Sequence, residues 1–395
     1  MEVIVKGPSI QILLILCLVI IVISYLSITL AMRLFPEYRT MKLKKLYWVL
    51  NVLAVIGFAM GRGVFDTYFL SEILVKLVIS WFMAQLFVLL LLPFFYFIKK
   101  AVLKYFNTET VEVDMTRRRL IKGIALSLPL ASIGMSTYGA FYGSKQVEIL
   151  KHTIVLPDLD ATLENFKIAQ ISDVHLGLFF SVHKFRRILE RVKAESPDVL
   201  VITGDLIDEV RMLDQTVLLL NEYASAFTKG IYFSFGNHEY FKNFPVIKKA
   251  LEESKVKVLR NTSELLVEAK KPLYLLGVDY PWTDRAQEQI EKCKEMTAEA
   301  MKNVPTESTK VLLSHHPACI DAAYENGIDL TLTGHTHGGQ VAVMGQTLLP
   351  VRYKYMRGMY RTNHRYGYVS TGAGSWFPFR MGCPAEVTIF TLKTK

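Results

Sequence analysis

Cysteine is scarce in this chain and poorly placed for its usual structural roles. There are 4 cysteines in 395 residues, Cys17, Cys293, Cys319 and Cys383. Cys17 lies inside an apolar run and no pair is spaced as CxxC. The sequence therefore predicts no disulfide framework and no thiolate zinc site, only buried or unpaired thiols. No internal repeat or low-complexity run is present. Acidic side chains are outnumbered 36 to 46, leaving a formal net charge of +10. Such a balance suits nucleic acid, an anionic membrane surface or acidic substrates. Much of the excess, however, sits in two clusters that flank apolar segments: Arg33, Arg39, Lys42, Lys44 and Lys45, then Lys99, Lys100, Lys104, Arg117, Arg118, Arg119 and Lys122. That placement reads as a topology signal and not as a nucleic-acid footprint.

What the chain has in abundance is apolar sequence. Hydrophobic residues make up 51% and the mean hydropathy is +0.27. The excess is concentrated before about residue 143, and the remainder, roughly 250 residues, is enough for a substantial core. Residues 1–143 are expected to form a four-helix transmembrane region and 144–395 a separate globular domain. The run Ile10 to Met32 is uncharged and long enough to cross a bilayer of about 30 Å. Leu46 to Gly61 is shorter, Ile73 to Ile98 carries Lys76 near its start where a lysine can snorkel, and Gly123 to Tyr142 is rich in Gly, Ser and Ala. The basic stretches Arg33–Lys45 and Lys99–Lys122 are expected in the cytoplasm, whereas the connection holding Arg62, Asp66 and Glu72 is not. Four spans then place the N-terminus and residues 144–395 outside. Thr116-Arg117-Arg118-Arg119-Leu120-Ile121-Lys122 also resembles a twin-arginine export leader, although it is internal and has Leu where Phe is common.

From about residue 146 strand-like and helix-like segments alternate, which argues for an α/β domain. Strands are expected at Phe166–Ser172, Asp198–Thr203, Ile231–Phe235, Val256–Leu259, Leu273–Val278, Lys310–Ser314, Leu330–Thr333, Tyr366–Ser370 and Ala385–Leu392. Helices are expected around 184–193, 212–226 and 245–253. Five of the strand-like segments end in metal-ligand residue types. Asp173 and His175 follow the first, and a period-2 backbone would aim both the same way. Gly204-Asp205-Leu206-Ile207-Asp208 follows the second and Gly236-Asn237-His238-Glu239 the third. Ser314-His315-His316-Pro317 and Gly334-His335-Thr336-His337-Gly338-Gly339-Gln340 follow two later ones. Each piece is weak alone. Because ligands in open α/β sheets gather at the carboxyl ends of strands, one site could collect them all.

The order D-x-H, G-D-x-x-D, G-N-H-[DE], a later His and G-H-x-H resembles the calcineurin-like metallophosphoesterase superfamily, in particular its bacterial membrane-associated members. The resemblance runs from roughly Val147 to the C-terminus. It implies two packed sheets flanked by helices, and two divalent metal ions of the Mn, Fe or Zn kind. One ion would be held by Asp173, His175, Asp205 and His337, the other by Asp205, Asn237, His315 and His335. His315 is preferred to His316 because the family histidine is followed by one variable residue and then proline. A water shared between two such ions has its pKa lowered and attacks phosphorus in line. By the same resemblance His238 stands near the leaving oxygen as general acid or electrostatic stabiliser, with Asp208 orienting it. Gly236, Gly338 and Gly339 would let backbone approach the site.

Two features point to a phospholipid or lipid-linked phosphate as substrate. Phe179 and Phe180 are expected at the rim of the site. Arg352, Arg357 and Arg361, with Lys354 and Arg365, interleave with Tyr353, Tyr355 and Tyr360 and could grip an anionic head group or the bilayer surface. Arg and Tyr could serve nucleic acid in the same way, but the expected outside location argues against it. The rival readings are hydrolysis of soluble diesters or nucleotides with the helices only as an anchor, and a non-catalytic membrane scaffold. A transporter finds little support, since only Lys76 and Arg62 lie near membrane depth.

Overall fold

The computed structural model describes residues 10–61, 68–106, 111–143, 145–283, 285–343, 345–348 and 353–395. The chain divides into two compact units, Lys6–Tyr142 and Gly143–Lys395.

Among the described residues the first unit has four α-helices, α1 (Ile10–Leu34), α2 (Met41–Gly61), α3 (Tyr68–Tyr105) and α4 (Val111–Phe141). At 1.5 Å per residue the 38 residues of α3 extend about 57 Å, well beyond the hydrocarbon thickness of a bilayer. Among the described residues two segments, Leu70–Tyr105 and Met115–Phe141, are long and apolar enough to cross a membrane, and Leu18–Leu34 forms a shorter apolar stretch. The second expected span, within α2, does not reach that standard. The basic residues from Lys99 to Lys122 do not form one loop: Lys99, Lys100 and Lys104 are on α3, and the three arginines are on α4, continuous with its apolar part. Lys76 is buried and paired with Glu72 at 2.5 Å, one turn away. Arg62 and Asp66 lie outside the described residues. A proline inside a helix leaves the carbonyl four residues back without its donor. For Pro129 in α4 that carbonyl belongs to Ala125, and the Tyr38 hydroxyl donates to it.

The second unit opens with β1 (Val147–Leu156) and β2 (Lys167–Ile171), then α5 (Val182–Ala194), β3 (Val199–Thr203), α6 (Leu213–Tyr223), β4 (Ile231–Ser234), and the helices α7 (Asn237–Phe241) and α8 (Phe244–Glu252). Then come β5 (Val256–Val258), β6 (Thr262–Val267), β7 (Leu273–Gly277), α9 (Ala286–Ala300), β8 (Thr309–Leu313), α10 (Cys319–Glu325) and β9 (Leu330–Thr333). A short hairpin, β10 (Ala342–Val343) with β11 (Gln346–Thr347), precedes β12 (Gly358–Thr362), β13 (Arg365–Val369) and β14 (Ala385–Thr394). One six-stranded sheet runs β1-β14-β2-β3-β4-β5, the other β12-β13-β9-β8-β7-β6. In the first, β2, β3, β4 and β5 are mutually parallel; in the second, β7, β8, β9 and β13 are.

Alternation along the strands builds the layers. Ile168, Val199, Val201 and Tyr232 of the first sheet meet Leu275, Val311, Leu313 and Leu332 of the second in one shared core. The intervening residues, such as Ala169, Leu200, Ile202 and Phe233, face outward to Phe185, Leu189, Leu219 and Ile247 of α5, α6 and α8. On the far side Leu276 and Leu312 pack on Cys293, Cys319 and Ala322 of α9 and α10. The arrangement is a two-sheet α/β sandwich covered by helices. The nine expected strands are present within one or two residues, and the helices at 184–193, 212–226 and 245–253 correspond to α5, α6 and α8. The helices α9 and α10 and the edge strands β1, β6 and β12 carry no clear periodic signal. The thiol expectation is corrected here: Cys293 and Cys319 form a disulfide joining α9 to α10, and Cys383 is a buried free thiol.

Candidate metal centre

The parallel runs bring the carboxyl ends of β2, β3 and β4 to one edge of their sheet and those of β8 and β9 to one edge of theirs. The loops leaving those ends carry Asp173 and His175, Asp205 and Asp208, Asn237 and His238, His315, and His335 and His337. The backbone there is not extended. Asp173, His175, Asp205, His335 and His337 all have positive φ, between 50° and 72°. Non-glycine residues visit that region rarely and at a cost of order 1–3 kcal/mol each. Asp173 and His175 are therefore not aimed by a period-2 strand. The strand ends at Ile171, and two left-handed residues with Val174 between them set the side chains. Close backbone approach holds at Gly236, where a Cβ would come within 2.2 Å of Asp205 Oδ1. Gly338 and Gly339 have positive φ as well.

The seven residues expected as ligands converge. Around Asp173 Oδ1 lie His337 Nε2 at 3.4 Å and His175 Nε2 at 3.9 Å, and the two ring nitrogens are 3.0 Å apart. Around Asp205 Oδ2 lie His315 Nε2 at 3.1 Å and, on the other side, His175 Nε2 at 3.8 Å. His335 Nδ1 is 3.3 Å from His315 Nε2 and 3.0 Å from Asn237 Oδ1. Asp173, His175 and His337 thus form one donor group and Asp205, His315 and His335 a second, with a third, overlapping group of His175, Asp205 and His238 between them, and Asp205 Oδ2 lies near His175 of the first as well as His315 of the second. Donors sharing an ion at about 2.0–2.2 Å stand about 3–3.5 Å apart; the separations fall in that range except those of His175 Nε2 from the two carboxylates, at 3.8 and 3.9 Å. Mixed imidazole, carboxylate and amide donors suit divalent transition metals.

The outer contacts aim these nitrogens. His175 Nδ1 is 3.1 Å from Asp208 Oδ1 and His315 Nδ1 is 2.8 Å from the Thr203 carbonyl, so each donates outward and turns Nε2 to the cluster. His335 Nε2 meets the Tyr353 hydroxyl at 3.0 Å. Glu239, fully buried, accepts from the N–H groups of Asp205, Leu206 and Gly236 at 2.7–3.0 Å and so shapes the loop that presents Asp205. His238 Nδ1 stands 2.6 Å from Asp208 Oδ1. Burial alone would lower the His238 pKa, but the Asp205 and Asp208 carboxylates push it up to about 9. For His315 burial is likewise outweighed by Asp205 and Asp173, to about 10. Burial would raise Asp208, yet His175 and His238 hold it well below the usual carboxylate range. Buried carboxylates that draw protons onto neighbouring imidazoles are a charge set that a divalent cation satisfies. His316, also buried, turns away: its Nδ1 accepts from Ala318 N–H, and burial lowers it to about 3.

A cavity of about 260 Å³ lies over the cluster, lined by Asp205, Asn237, His238, His335, Thr336, His337, Gly339, Gln340, Tyr353 and Trp376. The expected substrate contacts are largely elsewhere. Phe180 is buried in the core under α5, and neither it nor the half-buried Phe179 lines the cavity. Arg357 donates to the Gly382 carbonyl. Arg361 donates to Asn363 O in the β12–β13 turn and lies over the Tyr366 ring. Arg352 lies outside the described residues. The apolar rim belongs to Trp376, half exposed and 6.5 Å from the His238 ring. Sequence reasoning also missed Arg380. Fully buried, its Nη2 donates to His337 Nδ1 at 2.9 Å and to the Thr371 and Gly374 carbonyls. The signal was a lone arginine, Phe379-Arg380-Met381, between glycine-rich turns.

Two packed sheets with imidazole, carboxylate and amide donors gathered at parallel strand ends are the build of a metal-dependent phosphoesterase. The model of the calcineurin-like phosphoesterase family matches residues 166–339. An uncharacterized metallophosphoesterase of Aquifex aeolicus is 31% identical over 63% of this chain and 93% of its own. The phosphodiesterase YaeI of Escherichia coli is 26% identical over 70% of this chain and 99% of its own. A transmembrane protein with metallophosphoesterase domain from Danio rerio is 27% identical over 66% of this chain and 60% of its own. The chain belongs to the calcineurin-like phosphoesterase family and is a hydrolase of phosphoric esters.

Proposed function

We propose that the protein is a membrane-anchored phosphoesterase with a dinuclear metal centre, acting on a phospholipid or lipid-linked phosphate at the outer face of the membrane. The observation that carries the chemistry is the convergence of two donor groups on Asp205. Asp173, His175, Asp205 and His337 would hold one divalent ion, and Asp205, Asn237, His315 and His335 the other. When bound, the pair supplies Lewis acidity to the phosphate oxygens and an activated water. The chain's own groups do the rest. His238, on the cavity wall, holds a proton at Nε2 for the leaving oxygen, and Asp208 on its Nδ1 keeps the ring protonated and aimed. Trp376 offers an apolar face beside that oxygen, where a lipid moiety would leave the site.

The membrane reading takes all four helices as spans, with the basic residues at the α1–α2 and α3–α4 connections inside and Gly143–Lys395 outside. The Cys293–Cys319 disulfide supports this placement, because structural disulfides persist in oxidising compartments. Mn²⁺-dependent hydrolysis by detergent-solubilised full-length protein tests the proposal, with a phospholipid and a water-soluble diester side by side. Turnover favouring the lipid supports it. Turnover on the soluble diester alone retains the hydrolase and rejects the lipid substrate.

A further inference from the structure

The segment that leads into β12 sets a phenol against the second donor group. Among the described residues of the Arg- and Tyr-rich stretch 352–365, half-buried Tyr353 is the one that lines the cavity over the cluster. Its neighbours hold it there. Lys354 Nζ and the Tyr355 hydroxyl both donate to Asp321 Oδ1 of α10, at 2.7 and 2.6 Å. The Met356 carbonyl accepts from Thr336 Oγ1 at 2.5 Å, and the Met356 N–H donates to the Tyr360 hydroxyl at 2.9 Å. The Tyr353 ring stands edge-on to His335 and His316, with centroids 5.5 and 5.6 Å away. A side chain fixed in this way loses little freedom when it takes up a ligand.

The hydrogen bonds around His335 decide what the Tyr353 hydroxyl can do. His335 Nδ1 faces the second donor group, 3.0 Å from Asn237 Oδ1 and 3.3 Å from His315 Nε2, so its lone pair is the one a cation there would use. The ring proton then sits on Nε2 and is donated to the Tyr353 oxygen, 3.0 Å away. A phenol carries one proton of its own besides its lone pairs. With the oxygen accepting, that proton has no acceptor among the described residues. Water can take it in the free protein, but a charged oxygen is the stronger acceptor. His238 touches the other donor group, its ring centroid 4.5 Å from that of His175. The two side chains therefore address different oxygens of one phosphate ester.

We propose that Tyr353 is a substrate-binding residue whose hydroxyl, oriented by His335 Nε2–H, donates to a non-bridging oxygen of the phosphoryl group being hydrolysed. The assignment rests on the two-ion reading of the site and is independent of the lipid substrate. Tyr353 keeps its proton throughout, so it binds and orients and transfers nothing. The test compares detergent-solubilised full-length wild type with Tyr353→Phe, which keeps the ring and removes the hydroxyl. Each is titrated calorimetrically with Mn²⁺ and then, at saturating Mn²⁺, with inorganic phosphate. Hydrolysis of bis(p-nitrophenyl) phosphate is followed on the same samples. The variant is expected to bind both ions as the wild type does and phosphate at least about tenfold more weakly, the loss typical of a hydrogen bond to a charged acceptor. Its kcat/KM should fall by a similar factor. Phosphate affinity equal to that of the wild type would overturn the proposal. So would a weakened second ion with phosphate binding restored once Mn²⁺ is saturating, because Tyr353 would then only aim His335. Wild-type protein that binds a single Mn²⁺ would overturn the two-ion reading, and this assignment with it.

Discussion

Asp205 carries more of the site than any other side chain. One of its oxygens faces both donor groups, and the other accepts the His238 N–H at 2.8 Å. Asp205→Asn keeps the size and removes the charge that a cation needs, and His337→Ala removes a donor from one group only. Both are expected to abolish metal-dependent turnover with unchanged circular dichroism. Metal analysis should show both ions lost or weakened in the first variant and one in the second. Retention of full activity in either variant would contradict the assignment. His238→Ala is expected to keep both ions and to lose about 10²–10⁴-fold in rate, most with poor leaving groups, since it removes a proton donor and no ligand. Asp208 would be harder to interpret, because it touches both His238 and His175.

At the scale of elements, the disulfide between α9 and α10 closes a loop with a sequence separation of 26. Chain-entropy bookkeeping gives about 3.5 kcal/mol for such a closure, a model-dependent figure. It also braces the turn that follows β8, where the Cys319 N–H donates to the His316 carbonyl next to His315. Cys293→Ser is therefore expected to lower the urea midpoint of Gly143–Lys395 in the full chain. It should also weaken the ion held with His315 more than the ion held with His175, as read by metal titration. An unchanged midpoint under oxidising conditions would mean that the bridge does not brace this region.

For the molecule as a whole, the proposed topology makes a directional prediction. On a background without Cys17 and Cys383, a cysteine replacing exposed Lys249 should react with a membrane-impermeant maleimide in intact cells. A cysteine replacing Lys44 should react only after permeabilisation. The reverse pattern would place the hydrolase in the cytoplasm and leave the disulfide without its oxidising compartment.

Much of the site was legible in the sequence because its chemistry is tied to local motifs. Each ligand pair sits within three or four residues at the end of an apolar run, and parallel strands send those ends to one edge. The core strands were legible for the same reason, since β3 (VLVIT), β8 (TKVLL) and β9 (LTLT) are fully buried and carry short runs dominated by Val, Leu, Ile and Thr. Largely polar α9, with its sequence AQEQIEKCKEMTAEA, and half-exposed β1 carry no clear periodicity, so packing decided them. The Cys293–Cys319 pairing, the burial of Phe180 and the hold of Arg380 on His337 depend on residues far apart in the chain meeting in space. The sequence alone determined the class of chemistry and the donors available for it. Tertiary structure decided which groups aim those donors and which side chains border the cavity, because both depend on how loops from separate strands pack against one another.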